Sequence, residues 1–390
     1  MGRFMNENSD MSNICVKEVT SPQEMNDFIS LPRRLYAGSP YYVPDMDMDI
    51  RETFDARKNP CLDFSDIQAF VAYDAEGHPV GRIAGIINHR ANEKWHTQNV
   101  RFGFIEFVDD PEVSSALLQA VEQWGRSRGM RRIQGPMGIF DFDKEGMLVE
   151  DFDRIGSMVT IYNPSYYPRH LERLGYTKEV DWVQILVRVP DGVPEKFARI
   201  AGRVKEMFGL SVKKVTRKEL MNGYGRKIFD LLNVAYAGLF GYTELTERQI
   251  DAFVQRYAPL MDMEMLTSVE NAEGDLIGVA ITMYSLSHAL QKSQGKFFPL
   301  GWYHLLRSLK WKHENKVEML LIAVRPDYQG KGVNAVFFDD LIPVYNRKGL
   351  QWAETGPQLE DNHRELAQWR ALDPTFTKRR RCYRKELEEG

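Results

Sequence analysis

Leu320-Leu321-Ile322-Ala323-Val324-Arg325-Pro326-Asp327-Tyr328-Gln329-Gly330-Lys331-Gly332-Val333-Asn334-Ala335 joins an apolar run, a turn with two glycines and the start of an amphipathic stretch. Met319 to Val324 holds no polar residue, the pattern of a strand covered on both faces. Beyond the turn, Val333, Phe337, Leu341 and Val344 recur at helical spacing. Pro343 lies inside that stretch and is expected to kink or end the helix. A buried strand that turns through glycines into a helix gathers unpaired N–H groups and the positive end of the helix dipole at one point. Such a point suits a phosphate or pyrophosphate. The turn is not a Walker loop, which has wider glycine spacing and a Lys-Ser/Thr pair, and it lacks the third glycine of the dinucleotide fingerprint. Gly223-Tyr224-Gly225 fails the same test.

Away from this stretch, the chain repeats itself. Asp74-Ala75-Glu76-Gly77-His78-Pro79-Val80-Gly81 returns as Asn271-Ala272-Glu273-Gly274-Asp275-Leu276-Ile277-Gly278, each between runs of strand formers; both read as β-hairpins. Arg128-Gly129 leads to Ile133-Gln134-Gly135-Pro136 as Lys348-Gly349 leads to Glu354-Thr355-Gly356-Pro357. Gly175-Tyr176-Thr177-Lys178 pairs with Thr375-Phe376-Thr377-Lys378. Three matches in one order imply a duplicated unit with one insertion in each half. The Pro-Asp-Gly-Val-Pro run from Pro190 to Pro194 is the expected linker, giving halves 1–190 and 195–390. Each half is expected to be an α/β unit: a mixed, mostly antiparallel sheet flanked by helices. In the first half, Ser21-Pro22-Gln23-Glu24 reads as a capping box. Asp110-Pro111 caps a helix with Val113, Leu117, Val121 and Trp124 on one face.

The 390 residues fit two domains. With 43% hydrophobic and 27% charged residues, the composition excludes a largely disordered chain. A net charge of −4 gives no general reason to expect nucleic acid. Cys15, Cys61 and Cys382 are far apart and form no CxxC, which argues against a disulfide framework or zinc cluster. No histidine spacing indicates a metal. No run reaches the ~18 apolar residues of a membrane span. The first dozen residues lack the apolar core of a signal peptide and read as a loose tail, so the expected location is the cytoplasm.

The run Gln329 to Ala335 resembles the pyrophosphate loop of the GNAT acyltransferases, whose pattern is Gln/Arg-x-x-Gly-x-Gly/Ala. Gln329 and Gly332 match; Asn334 departs, with Ala335 one place late. The resemblance extends over the second half in element order and, through the repeat, over the first. It implies direct acyl transfer from acetyl-CoA or another acyl-CoA to a small amine. The N–H groups of Gln329, Gly330, Lys331, Gly332, Val333, Asn334 and Ala335 would hold the pyrophosphate. The backbone of Ile322, Ala323 and Val324 would hold the pantetheine arm. Glu318, at a position that acts as base in the histone acetyltransferase branch, and Glu354 are candidate bases, each weighed against an exposed strand-end carboxylate. The family's last helix often carries an asparagine and, seven residues on, an acidic tyrosine. Here Asn362 is present and position 369 is Trp, leaving Tyr383 as the candidate acid or a packed strand aromatic.

At the matching place the first half reads Phe107-Val108-Asp109-Asp110-Pro111-Glu112, whose carboxylates would repel a pyrophosphate; this copy is expected to be cofactor-free. Its insertion, Met137 to Tyr162, holds Asp141, Asp143, Glu145, Glu150, Asp151 and Asp153, either to recognise a cationic substrate or as a solvated loop. The second insertion, Gln291 to Lys316, is basic and aromatic; a packed helix with a solvated basic face is preferred over membrane-surface binding. Lys378-Arg379-Arg380-Arg381 reads as an exposed strand or tail. Two other functions stay open: a transfer-RNA-dependent aminoacyl transferase of the peptidoglycan-bridge type, and a non-catalytic acyl-CoA sensor. A monomer or a homodimer is compatible with the repeat.

Overall fold

The computed structural model describes residues 13–387; the tail expected over the first dozen residues lies outside them. The duplication is complete at the level of strands. The first half contributes β1 (Cys15–Glu18), β2 (Ser65–Tyr73), β3 (Pro79–Asn88), β4 (Asn99–Phe107), β5 (Arg132–Gly135), β6 (Met147–Leu148) and β7 (Thr177–Arg188). The second contributes β8 (Ser211–Lys213), β9 (Leu266–Glu270), β10 (Leu276–Tyr284), β11 (Lys316–Val324), β12 (Trp352–Thr355), β13 (Gln358–Leu359) and β14 (Thr375–Glu386). Each strand of one half has its counterpart seven places later. The helices that position the site are α1 (Pro111–Arg126), α2 (Glu195–Phe208), α3 (Gly225–Ala235), α4 (Ser287–Ser293), α5 (Gly301–Lys310), α6 (Val333–Arg347) and α7 (His363–Gln368).

The repeated hairpins are superimposable in their bonding. Asp74 N–H donates to the His78 carbonyl and Asn271 N–H to the Asp275 carbonyl. The Asp74 and Asn271 side chains each accept the N–H four residues on, at 2.7 Å. Gly77 and Gly274 sit at φ 82° and 83°, a left-handed conformation that side-chain-bearing residues avoid. After each hairpin a glycine lets a helix approach. A Cβ on Gly81 would stand 2.6 Å from Leu117 of α1, and one on Gly278 would stand 2.8 Å from Phe337 of α6. The Ser21 capping box and the Asp110 cap form as expected.

One sheet runs through the molecule in the order β1-β2-β3-β4-β5-β14-β7-β12-β11-β10-β9-β8. The closing strands are therefore exchanged. β14 lies between β5 and β7, and β7 pairs with β12. Among the described residues only β4–β5 and β11–β12 are parallel. The second-half core fills the space between the sheet and α2 and α6, and the first-half core lies under α1.

Three expectations are corrected. The helix does not end at Pro343, one of the two outcomes expected there, but continues to Arg347; Pro343 is exposed near its last turn, where the carbonyl left without a donor can face water. The basic run is not an exposed tail: Lys378 and Arg380 are buried in β14, because the strand exchange places it inside the sheet. Arg381 is held bidentate by Asp181 (2.8 and 3.0 Å). Finally, Leu320, Leu321 and Ile322 are only half-buried, because they border a cavity. Gly278→Val is expected to push α6 off the sheet and cost about 1–3 kcal/mol, read as a lower urea midpoint.

Candidate active site

β11 is bordered by β10 along its length, but β12 accompanies it only from Lys316 to Met319. The last link is Gly356 N–H to the Met319 carbonyl (3.1 Å). Past that point, among the described residues, the edge of Leu320–Val324 has no strand beside it. The β10–β11 register shifts between Ile281 and Thr282, at the level where the edge opens; such a bulge bends a strand locally. The Ile322 carbonyl accepts the Tyr236 hydroxyl (2.8 Å). The open edge borders a cavity of about 1770 Å³ lined by both halves.

α6 starts where the open edge ends. Gly330 and Gly332 take φ of 74° and 86°, and a Cβ on Gly332 would stand 2.9 Å from Ile200 of α2. Among the described residues, the N–H groups of Gly330, Gly332, Val333 and Asn334 have no acceptor. The Gln329 amide ties the turn back to the Val324 carbonyl (3.0 Å). Lys331 instead points at the Phe208 and Tyr328 rings (5.3 and 5.2 Å). The Asn334 side chain bonds to Gln368 of α7, and the Asn362 carbonyl accepts the Leu366 N–H (3.0 Å). All the residues expected at the cofactor, Lys331 excepted, line this one cavity. A helix N-terminus with free N–H groups at the end of an unpaired strand edge fits a pyrophosphate followed by an amide-bearing arm.

Glu318 and Glu354 are register partners on β11 and β12, both buried, so neither is the exposed strand-end carboxylate weighed against a catalytic role. Their environments separate them. Burial raises the Glu354 carboxyl, but Lys378 and Lys316 outweigh it and hold it below the usual range; Lys316 donates at 2.7 Å and Lys378 forms the second ion pair. Glu354 is thus a fixed carboxylate. Burial pushes Glu318 up to about 7, Lys316 opposing it only in part. Among the described residues one Glu318 oxygen, Oε2, has no hydrogen-bond partner, and the other lies 3.5 Å from Ser287 Oγ. Met283, its partner on β10, and Met319, its neighbour in the chain, both line the cavity, whereas Glu318 itself does not. Tyr383 is placed elsewhere. It is buried in the first-half core, its hydroxyl donates to Glu172 (3.1 Å), and burial raises it further. Trp369 is buried in the second-half core.

At the corresponding opening of the first half, Phe104, Ile105 and Glu106 of β4 also line the cavity, but the chain itself closes the end of the strand and the start of the helix. β4 and β5 pair from Asn99 to Arg101, and Met137 N–H then takes the Phe102 carbonyl (2.9 Å). Tyr167 stacks on Phe107 with centroids 4.1 Å apart. Asp110 accepts the Glu112 N–H (2.8 Å), so the chain's own carboxylate closes the N-terminus of α1. The acidic insertion is only partly a solvated loop. Asp141, Asp143 and Glu145 line the cavity, and burial raises Asp141 to about 7, Asp143 to about 6 and Glu145 well above its ordinary value. Among the described residues Glu145 Oε1 has no hydrogen-bond partner. Sequence reasoning missed this burial; its signal was the interleaving of Phe140 and Phe142 with the acids.

This chain has the tandem fold of the GNAT superfamily. Over 97% of this chain and 99% of its own, it is similar to a solved tandem GNAT protein from the clavulanic acid biosynthesis pathway (TM-score 0.56, 14% identity). No family model matches the sequence. It is similar to a bacterial ceramide synthase from Caulobacter vibrioides (strain NA1000 / CB15N), 29% identical over 330 residues, covering 84% of this chain and 83% of that one. It is also similar to Protein YghO of Escherichia coli (strain K12), 25% identical over 382 residues and 95% of each chain.

A carboxyl raised by folding from 4.5 to about 7 keeps its proton in the folded state while the unfolded chain loses it. Stability therefore falls between those pH values and is flat above them. Glu318→Gln removes this slope, so relative to wild type the variant is expected to gain about 3 kcal/mol between pH 4.5 and 7, measured by urea unfolding across that range.

Proposed function

We propose that this protein is an N-acyltransferase that binds an acyl-CoA in its second half only and acylates the amine of a long-chain amino alcohol. The observation that carries the reading is one cavity that joins the free N–H groups of α6, the open edge of β11 and apolar walls from both halves. At about 1770 Å³ it exceeds the roughly 300–1,000 Å³ of drug-sized pockets. Phe104 and Met158 from the first half and Phe229, Leu286 and Leu305 from the second give it apolar walls. That favours a long aliphatic acceptor over the small amine expected from the sequence, and a long-chain donor over acetyl-CoA. The similarity to a ceramide synthase, whose product is the amide of such an amine, points the same way.

In the reaction the amine nitrogen forms a bond to the thioester carbonyl carbon, the carbon–sulfur bond breaks, and the amine loses one proton. Glu318 takes that proton through one water, because it does not itself line the cavity and its affinity for a proton is tuned near neutrality. Glu354, neutralised by Lys316 and Lys378, keeps a second proton acceptor from competing. An unpaired N–H on the edge of Leu320–Val324 stabilises the carbonyl oxygen as it gains charge. Tyr383 takes no part; a thiol of ordinary pKa near ~8.5 leaves as thiolate unaided. Asn334, whose backbone N–H is what the site uses, replaces the family's small residue without loss.

The direct test is thiol release from palmitoyl-CoA with sphinganine as acceptor. Turnover with this pair, at least tenfold faster than with acetyl-CoA, supports the reading; donor binding without thiol release contradicts it and favours the sensor. Wild-type kcat/KM is expected to rise with pH to a plateau above about 7. Glu318→Gln is expected to lower kcat by roughly 10²–10⁴ with donor affinity unchanged. At Gly330 a Cβ meets open space, and Asp and Asn both tolerate its left-handed backbone. Gly330→Asp is expected to weaken CoA binding at least tenfold more than Gly330→Asn in calorimetry, since only the former places a charge against the pyrophosphate.

A further inference from the structure

The segment from Lys292 to Lys312 packs one side on the protein and leaves an apolar side uncovered. Leu305 and Leu309 of α5 join a core cluster with Met283, Leu286 and Leu320. On the opposite face Trp302, Tyr303 and Leu306 are exposed, as are Phe298 and Leu300 just before the helix and Trp311 just after it. Phe298 and Trp311 are 73% and 68% exposed, values that a solvated basic face has no use for. The same segment carries Lys292, Lys296, Arg307, Lys310 and Lys312, all exposed. Among the described residues none of the five forms an ion pair, and no Asp or Glu falls between Lys292 and Lys312. The rest of the chain is acidic, since the whole carries a formal charge of −4.

We propose that this face is where the protein sits on an anionic lipid bilayer. Aromatic and leucine side chains on a segment with unpaired cations match an interface whose surface is negative and whose next layer is apolar. Charge complementarity favours a bilayer over a second copy of this chain, whose same face would bring five cations against five. The face also adjoins the site: Phe297, exposed, and Leu305 both line the cavity. Gly295 bonds to Asp47 N–H (2.9 Å) and Gln291 to the Tyr42 carbonyl (3.0 Å), fixing the segment to the first half's cavity wall. A long-chain amine would pass from the bilayer into the cavity without crossing water, a consequence that rests on the function proposed above; the docking itself does not.

The test is co-sedimentation of the full chain with vesicles of phosphatidylcholine alone and of phosphatidylcholine with phosphatidylglycerol, with no substrate present. Binding to the anionic vesicles that weakens with salt is expected. Phe298→Ser with Trp311→Ser should reduce it at least tenfold. Lys310→Glu with Lys312→Glu should reduce it by roughly fivefold or more for each charge removed. All four positions are exposed, so circular dichroism and CoA binding should be unchanged. No binding of the wild type to anionic vesicles, or binding that both variants retain, overturns the proposal. So does concentration-dependent dimerisation that the Phe298→Ser/Trp311→Ser variant loses while vesicle binding is absent. Because no turnover is read, a failed acyltransferase reading would leave this outcome unaffected.

Discussion

The parallel pairing of β11 with β12 stops after four residues, and the site follows from that interruption. An unpaired strand edge inside a protein exposes backbone groups that need partners. Here it faces a cavity and ends at a helix whose first N–H groups are free, so the strand and helix offer one continuous row of donors and acceptors. The same interruption occurs in the first half after Arg101. There Tyr167 covers the end of the strand at Phe107, and Asp110 closes the helix. Duplication thus gave two strand edges on one cavity, and side-chain chemistry closed the helix N-terminus of the first.

The exchange of closing strands makes the halves interdependent. β14 brings Lys378 from the end of the chain to Glu354, while β7 supplies the strand on which β12 rests. Glu354 needs that lysine: with Lys316 alone, two buried carboxylates at paired positions would share one cation. Lys378 and Lys316 fix Glu354 in its charged form and leave Glu318 to titrate near neutrality. The proposed base and a structural carboxylate are thereby distinguished by their neighbours, since the residue type is the same.

Much of this was legible in the sequence, and the reasons for the rest are physical. Hairpins and helix caps are local, so Asp74–Gly81, Asn271–Gly278, Ser21–Glu24 and Asp110–Pro111 declared themselves through turn and capping chemistry. The glycines at 330 and 332 marked the α6 turn for the same reason. Strand order is not local. Nothing near Lys378 or Arg380 reports that β14 runs between β5 and β7, so four consecutive basic residues read as solvated. Tyr383 fell to the same cause: the exchange carries it into the first-half core, onto Glu172 and out of the cavity. Glu318 and Glu354 were equivalent in sequence because the two lysines that separate them lie 38 and 24 positions from Glu354, farther along the chain than spacing can show.

Amide hydrogen exchange with and without palmitoyl-CoA tests the central claim most directly, because it reports each backbone segment separately. The account predicts protection of Leu320–Val324 and of Gly330–Asn334, with no change at Val108–Val113, the matching turn of the first half. Protection at the first-half turn, or none at Gly330–Asn334, would contradict a single acyl-CoA site built on the open edge of β11.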